Sequence, residues 1–297
     1  MDVVHYTACP VCNSTVISDI FPVRDFTVSG KEFLIVECGR CTLRFTQDAP
    51  GAQSITAYYK SENYISHTDT SKGLVNRVYK MVRKRTLRHK RKLIEQVTDR
   101  RSGTILDVGS GTGAFLHEMR SNGWSVTGLE PDEDAIAVAK KNYDLELMNT
   151  HRLYELPKKS YDVITLWHVL EHVHELHACF MQLKDLLTDT GKLIIAVPNY
   201  TSLDEKKYKQ YWAAYDVPRH LYHFSPHSMN ALVNTHGLNI IDMKPMWYDS
   251  FYVSLLSSKY QSGNTKWISA MWNGLLSDIQ AWRNTAKCSS VIYIISP

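Results

Sequence analysis

Gly109, Gly111 and Gly113 stand at alternate positions directly after the apolar run Thr104–Val108, and Glu130 closes the next apolar run, 126–129. Without a Cβ, glycine lets a backbone turn tightly and come close to a ligand. A turn of this kind after a buried strand carries free N–H donors, and a carboxylate ending the second strand can accept both hydroxyls of a ribose. The chemistry implied is the binding of a nucleoside-containing cofactor. Gly109, Gly111 and Ala114 also satisfy the dinucleotide spacing G-x-G-x-x-G/A, so the loop by itself leaves a dehydrogenase open.

Those residues need a parallel α/β scaffold. The run 104–108 reads as a buried parallel strand and 114–121 as the helix it feeds. Further strands are expected near 126–129, 145–149, 161–166, 192–197, 238–244 and 289–295, with helices including 133–142, 177–188 and 226–236. Such alternation predicts a parallel sheet with helices on both faces.

The rest of the chain separates the cofactor classes. Asp107 lies inside the motif as Asp-x-Gly-x-Gly-x-Gly, and residues 160–172 read Ser-Tyr-Asp-Val-Ile-Thr-Leu-Trp-His-Val-Leu-Glu-His. Residues 191–198 read Gly-Lys-Leu-Ile-Ile-Ala-Val-Pro. In order and spacing, from about 80 to 297, these pieces resemble S-adenosylmethionine-dependent methyltransferases. The resemblance implies an α/β, doubly wound, seven-stranded and mostly parallel Rossmann-like sheet, its last strand antiparallel and inserted near the edge. It also implies S-adenosylmethionine as cofactor, with Gly109, Gly111 and Gly113 against the methionine portion. Asp107 would orient the loop or the methionyl ammonium, and Glu130 would hold the ribose. Asn149 or Thr150 would meet the adenine side, where many relatives carry an acid that this chain lacks. Trp167 and His168 would contact cofactor and acceptor.

Two histidine-rich stretches are candidates for the reaction itself. His168-Val-Leu-Glu171-His172 resembles the Glu-x-x-Glu-His of ubiquinone-type O-methyltransferases, with His in place of the first Glu. Ligands at i, i+3 and i+4 share one helix face and could hold a divalent metal. The alternative is a helix start in which Glu171 is structurally hydrogen-bonded. Residues 216–225, Asp-Val-Pro-Arg-His-Leu-Tyr-His-Phe-Ser, resemble a bacterial methyltransferase subgroup. There His220 or His223 could serve as general base, oriented by Asp216 or Arg219. The alternative is a loop-anchoring pair of Arg219 with Asp216. Residues 246–283, rich in Trp and Tyr, read as an aromatic cap over an apolar acceptor, a membrane-surface contact, or a packing helix.

At the front, Cys9-Pro-Val-Cys12 and Cys38-Gly-Arg-Cys41 are two C-x-x-C turns separated by 25 residues. Each turn can aim two thiolates at one ion, and together they complete a closed tetrahedral site, predicting a structural zinc. The expected organisation is a zinc ribbon over 1–47, a linker and basic helical segment over 48–101, and the catalytic domain over 102–297. Tyr58, Tyr59 and residues 62–64 make the linker aromatic enough to act as a lid or an interdomain packing surface. Cys179 and Cys288 read as core residues.

The 297 residues carry a net charge of +4, concentrated over 72–101, where twelve lysines and arginines meet only Glu95 and Asp99. Such a stretch can contact nucleic acid, or it can be a surface helix packed through Val75, Val78, Val82, Leu93 and Val97. No run approaches the ~20 apolar residues of a membrane span, and the first residues lack a signal-peptide pattern, so a cytoplasmic protein with reduced thiols is expected. The function implied by the resemblance is methyl transfer from S-adenosylmethionine to a small-molecule acceptor, at oxygen. Alternatives are C-methylation of a nucleotide sugar, nucleic-acid methylation through the basic face, and a noncatalytic cofactor-fold binding module.

Overall fold

A computed structural model describes residues 2–59, 74–247 and 249–297, with the side chains of 74–81 outside that description. The expectations placed on residues 62–64, Tyr248, and the Val75 and Val78 side chains lie outside the described residues. The described chain forms two compact units: 2–59 with 168–179 and 195–295, and 74–167 with 180–194 and 296–297.

The first unit begins with β1 (Val3–Val4), β2 (Ile17–Arg24), β3 (Glu32–Cys38), β4 (Arg44–Thr46) and β5 (Ala49–Pro50). β3 delivers Cys38, the first residue of the second C-x-x-C turn, at its end. It is flanked by β2 and β4 in antiparallel register, with Phe33 opposite Val23 and Val36 opposite Phe45.

The second unit carries α1 (Leu74–Thr98), β6 (Thr104–Val108), α2 (Ala114–Arg120), β7 (Ser125–Leu129), α3 (Glu133–Tyr143) and β8 (Tyr161–Trp167). α4 (Leu176–Leu186) and β9 (Leu187–Pro198) follow, each with residues in both units. Strand order in this unit is β9-β8-β6-β7, and β6 is parallel to both β7 and β8. β6 is buried from Ile105 to Val108, as an apolar central strand must be. α3 starts where Asp132 accepts the Asp134 N–H, has acids in its first turn and Lys140 and Lys141 in its last, and so suits the helix dipole at both ends.

The third expected strand, 145–149, contributes one parallel bridge, Leu129 to Met148. Met148 exchanges hydrogen bonds with Gly128 and Glu130, after which Asn149 caps a short 3₁₀ turn at Thr150 and ends the extended run. The apolar stripe of α1 also differs from expectation. Val82 is 40% exposed, whereas Ile94 is fully buried. The face turned to α2 instead carries Arg91, which donates to Glu118 at 3.0 Å; charged heads find partners while their stems cover apolar surface.

The first unit resumes with α5 (Leu203–Tyr208), β10 (Tyr222–His223), α6 (Pro226–Thr235), β11 (Asn239–Pro245), α7 (Asp249–Ser262), α8 (Trp267–Arg283) and β12 (Ser290–Ser296). Beyond β9 the order continues as β12 and then β11, so the last strand is one place in from the edge. β10 joins the N-terminal sheet as its fourth strand, pairing Tyr222 with Phe45 and His223 with Arg44. A core of Trp212, Tyr215, Val217, Ile35 and Val23 packs beneath it. α6 is fixed by a reciprocal capping box between Ser225 and Ser228 with Pro226 at its first turn.

Candidate functional site

In the second unit the glycine turn is held from below. Gly109 and Ser110 both donate to the Leu129 carbonyl, at 2.7 and 2.9 Å, fastening the loop to the end of β7. Gly111 and Gly113 have φ of +53° and +75°, a region that favours glycine. A Cβ on Gly113 would lie 3.0 Å from Ala139 and Leu145, while the space over Gly111 is open. The Gly111 N–H donates to Glu130 Oε2 at 2.7 Å, and Asp132 N–H donates to Glu130 Oε1 at 3.1 Å. Burial pushes the Glu130 carboxyl up against these two donors. A carboxylate offers about four lone-pair directions, so two remain after these bonds, enough for the two hydroxyls of a ribose.

Asp107 is buried at the end of β6, where its Oδ1 accepts the Thr165 hydroxyl at 2.5 Å. Burial raises its carboxyl to about 7, with Thr165 and the Lys90 charge pulling the other way. Its charged form is therefore costly unless a cation faces it. Asn149 Oδ1 accepts the His151 N–H at 3.3 Å, and Thr150 begins the short turn that follows. Trp167 ends β8, and its buried indole N–H has no partner among the described residues. Lys90 Nζ stands 4.1 Å above the Trp167 ring centroid, and Arg83 donates to the Thr112 hydroxyl of the glycine loop at 3.2 Å. Lys90, Arg83 and Thr165 are additions to the sequence-based set.

In the first unit a second cluster gathers Glu171, His172, Asp216, Arg219, His220 and His223. The expected helix at His168 is a 3₁₀ turn, Leu170–His172, followed by extended Val173. His168 has φ of +58°, an uncommon value for a side chain with a Cβ, and its N–H donates to Ala196. Its Nδ1 is 3.3 Å from Glu171 Oε1. One-turn helical spacing is thus absent, and the donor atoms lying within 4.8 Å of one another come from Glu171, His172 and His220.

Carbonyl oxygens only accept, so their contacts assign the ring protons. His172 Nδ1 lies 3.0 Å from the Arg219 carbonyl and His220 Nδ1 lies 2.8 Å from the Ala214 carbonyl. Both Nδ1 atoms therefore carry hydrogen, leaving each Nε2 with a lone pair when the ring is neutral. Burial, reinforced by His220, holds His172 down at about 4. Glu171 is fully buried with Oε2 unpartnered among the described residues. Burial raises its carboxyl, but the His168 hydrogen bond and the charges of His168, His220 and His172 outweigh that and leave it below the usual range. A buried carboxylate and two imidazoles gathered in this way suit a shared proton or a cation.

His223 is placed differently. Its Nε2 is 3.1 Å from the Thr46 hydroxyl, whose single hydrogen goes to the His220 carbonyl at 2.7 Å, so His223 Nε2 is the donor. Burial, with His220 and Arg44 nearby, keeps its pKa well below that of a free histidine. Arg219 is 1% exposed and grips Asp216 with two bonds of 3.0 and 2.6 Å. It also reaches Asp25 Oδ1 at 3.2 Å and the Tyr58 carbonyl at 3.0 Å. Tyr59 places its hydroxyl 3.0 Å from His172 Nδ1.

Cys9, Cys12, Cys38 and Cys41 bring their sulfurs within 4.8 Å of one another, with 3.5 Å between Cys9 and Cys41 and between Cys12 and Cys38. A tetrahedral site with Zn–S of about 2.3 Å has S···S edges of about 3.8 Å, so the set matches a zinc ion in number, type and spacing. Hydrogen bonding from Cys41 lowers Cys9 to about 5, and the same contact raises Cys41; thiols this close cannot all ionise without a cation among them. Cys179 and Cys288 are buried singly, and burial raises both to about 12.

Comparison with known proteins adds an independent line. The profile of a family described as a methyltransferase domain matches residues 80–243. An uncharacterized methyltransferase of Alkaliphilus oremlandii is 27% identical over 118 residues, 39% of this chain and 55% of that protein. A ubiquinone biosynthesis O-methyltransferase of Glaesserella parasuis is 31% identical over 111 residues, 33% of this chain and 46% of that protein. The chain thus spans about half the length of these two relatives. The crystal structure of magnesium protoporphyrin IX methyltransferase from Synechocystis PCC 6803, with bound S-adenosylhomocysteine, aligns with a TM-score of 0.51 at 16% identity. It covers 80% of this chain and 95% of that one, a likeness of fold.

The Arg219 network generates a stability prediction. Arg219→Ala leaves the buried Asp25 without its cation and should lower unfolding free energy by about 3–5 kcal/mol, read from urea denaturation. A loss below about 1 kcal/mol would show that the pairing does not hold the loop.

Proposed function

We propose, from the premise that the chain belongs to the S-adenosylmethionine-dependent methyltransferases, that it methylates a hydroxyl of a small-molecule acceptor. The observation that carries the acceptor assignment is His220. Its Nδ1–H is committed to the Ala214 carbonyl, which leaves Nε2 as a proton acceptor 4.0 Å from Asp216, in a ring that lies close to Glu171 and His172. The O-methyltransferases among the curated relatives support oxygen as the acceptor atom.

The cofactor, when bound, supplies an electrophilic methyl on a sulfonium. In this reading Glu130 accepts the ribose hydroxyls with the lone pairs that Gly111 and Asp132 leave open. Asp107 would hold the methionyl ammonium, and a cation there would offset the cost of its buried charge. Asn149 or Thr150 contacts the adenine side, and Trp167 offers its unpartnered indole N–H. His220 would take the proton of the acceptor hydroxyl, and the carboxylates of Glu171 and Asp216 would stabilise the imidazolium that forms. His172, low in pKa, stays neutral. His223, committed to Thr46 and buried in β10, shapes the site rather than moving protons. His168 positions Glu171 through its Nδ1 contact.

Nucleic-acid methylation is less well supported, because Arg83, Lys90 and Arg91 of the basic segment are engaged with Thr112, Trp167 and Glu118 rather than presented together to a phosphate chain. The organisation proposed remains a zinc ribbon over 1–47, a linking and basic helical segment over 48–101, and a methyltransferase domain over 102–297. In the ribbon the four cysteines would hold zinc, and a closed four-thiolate set makes its role structural.

Once a hydroxylated acceptor is in hand, His220→Ala should lower kcat by about 10²–10⁴-fold with the cofactor Kd within about twofold of wild type. An unchanged kcat would remove His220 as the base. Elemental analysis of purified protein should find one zinc per chain, lost together with folding of the ribbon in Cys38→Ser. Metal-free protein whose Cys38→Ser variant is equally stable would refute the zinc assignment.

A further inference from the structure

α8 is built the wrong way round for a helix that only packs. Its buried residues are small or polar: Ala270, Asn273, Gly274, Ser277 and Ala281. That face is packed within the first unit. Gly274 meets Phe251 so closely that a Cβ would lie 2.6 Å from its ring. Asn273 donates to the Tyr208 hydroxyl at 3.0 Å, Ser277 donates to Asp204 at 3.1 Å, and Ser250 donates to Asp278 at 2.8 Å. The large apolar side chains point the other way. Ile268 is 89% exposed, Trp282 81%, Trp267 66% and Trp272 62%, with Leu275 and Ile279 between them. At about 100° per residue all of these fall within one half of the helix circumference, and the buried small residues fall in the other.

An apolar face of this size on a folded domain needs an occupant. Charge says which one. A lysine precedes the first tryptophan and an arginine follows the last, as Lys266-Trp267 and Trp282-Arg283, and Lys259 and Lys287 extend the basic flank at either end. The sole acid in the helix, Asp278, is bonded to Ser250. A second copy docked face to face would bring these basic ends together in either helix orientation, with Asp278, already bonded to Ser250, the one acid of the helix to set against them. An anionic lipid surface reverses that sign. Tryptophan and basic residues at both ends, with aliphatic residues between, are the side chains that settle at a headgroup boundary. At 17 residues α8 is about 25 Å long, and no helix among the described residues is long and apolar enough to cross a membrane.

We propose that α8 lies flat on the surface of an anionic bilayer, with Trp267, Trp272 and Trp282 at headgroup depth, Ile268, Leu275 and Ile279 among the acyl chains, and the flanking lysines and arginine on lipid phosphates. The contact is independent of the methyl-transfer reading, since it uses none of the residues assigned to cofactor or acceptor. It places the protein at a surface where lipophilic molecules concentrate.

Flotation of the full chain with vesicles tests it. The protein should rise with phosphatidylcholine–phosphatidylglycerol vesicles, with a blue-shifted tryptophan emission, and should bind pure phosphatidylcholine at least about tenfold more weakly. Ile268→Asn/Leu275→Asn/Ile279→Asn should lower partitioning by at least about tenfold while circular dichroism and S-adenosylhomocysteine binding stay at wild-type values. Lys266→Gln/Arg283→Gln should remove the preference for phosphatidylglycerol. Failure to float with either vesicle overturns the proposal. So does a wild-type dimer by light scattering that the triple variant turns into monomer, which would assign the face to a second copy.

Discussion

The buried carboxylate of Glu130 is the constraint around which the glycine turn and the start of α3 are arranged. One oxygen accepts from Gly111 and the other from Asp132, so a single side chain at the end of β7 joins the glycine turn to the start of α3. The turn is further fastened by Gly109 and Ser110 on the Leu129 carbonyl. Both φ values and close packing at Gly113 require glycine there. Together these contacts fix donors, a carboxylate and an open space before any ligand arrives, and in the proposed reading that preorganisation would lower the entropy cost of binding a nucleoside.

The first unit solves a different problem, the burial of several ionisable groups in one place. Arg219 bonds Asp216 and Asp25 at once, and its carbonyl fixes the His172 tautomer. A buried cation of this kind is costly alone and is tolerated because its donors are matched by acceptors on three separate segments. The same economy of donors leaves Glu171 Oε2 without a partner among the described residues. In the proposed reaction that oxygen is the group best able to respond to a proton arriving on His220.

Much of the geometry around the glycine turn was legible because its physics is local. Glycine spacing after an apolar run, an acid at the end of the next run, and C-x-x-C turns each carry their meaning within a few residues. The contributions of Lys90 and Arg83 were not legible, since a lysine-rich helix reads as solvated until its partners, Trp167 and Thr112, are known. Nor could the sequence reveal that Tyr222 and His223 complete the N-terminal sheet, or that Arg219 meets Asp25, 194 positions away. His168, Glu171 and His172 have helical spacing in the sequence, but the left-handed backbone at His168 and the extended Val173 break the turn after three residues. The aromatic density of 246–283 was visible as composition; its presentation outward on α8 became visible only once Gly274 and Ser277 were seen to face the interior.

The most direct test of the central claim is a calorimetric titration of S-adenosylhomocysteine into wild-type protein and into Glu130→Ala at one pH above 7. The account predicts saturable binding by the wild type and a Kd at least about tenfold higher in the variant, equivalent to about 1.4 kcal/mol. Equal affinity in the two proteins, or heat from neither, would contradict it.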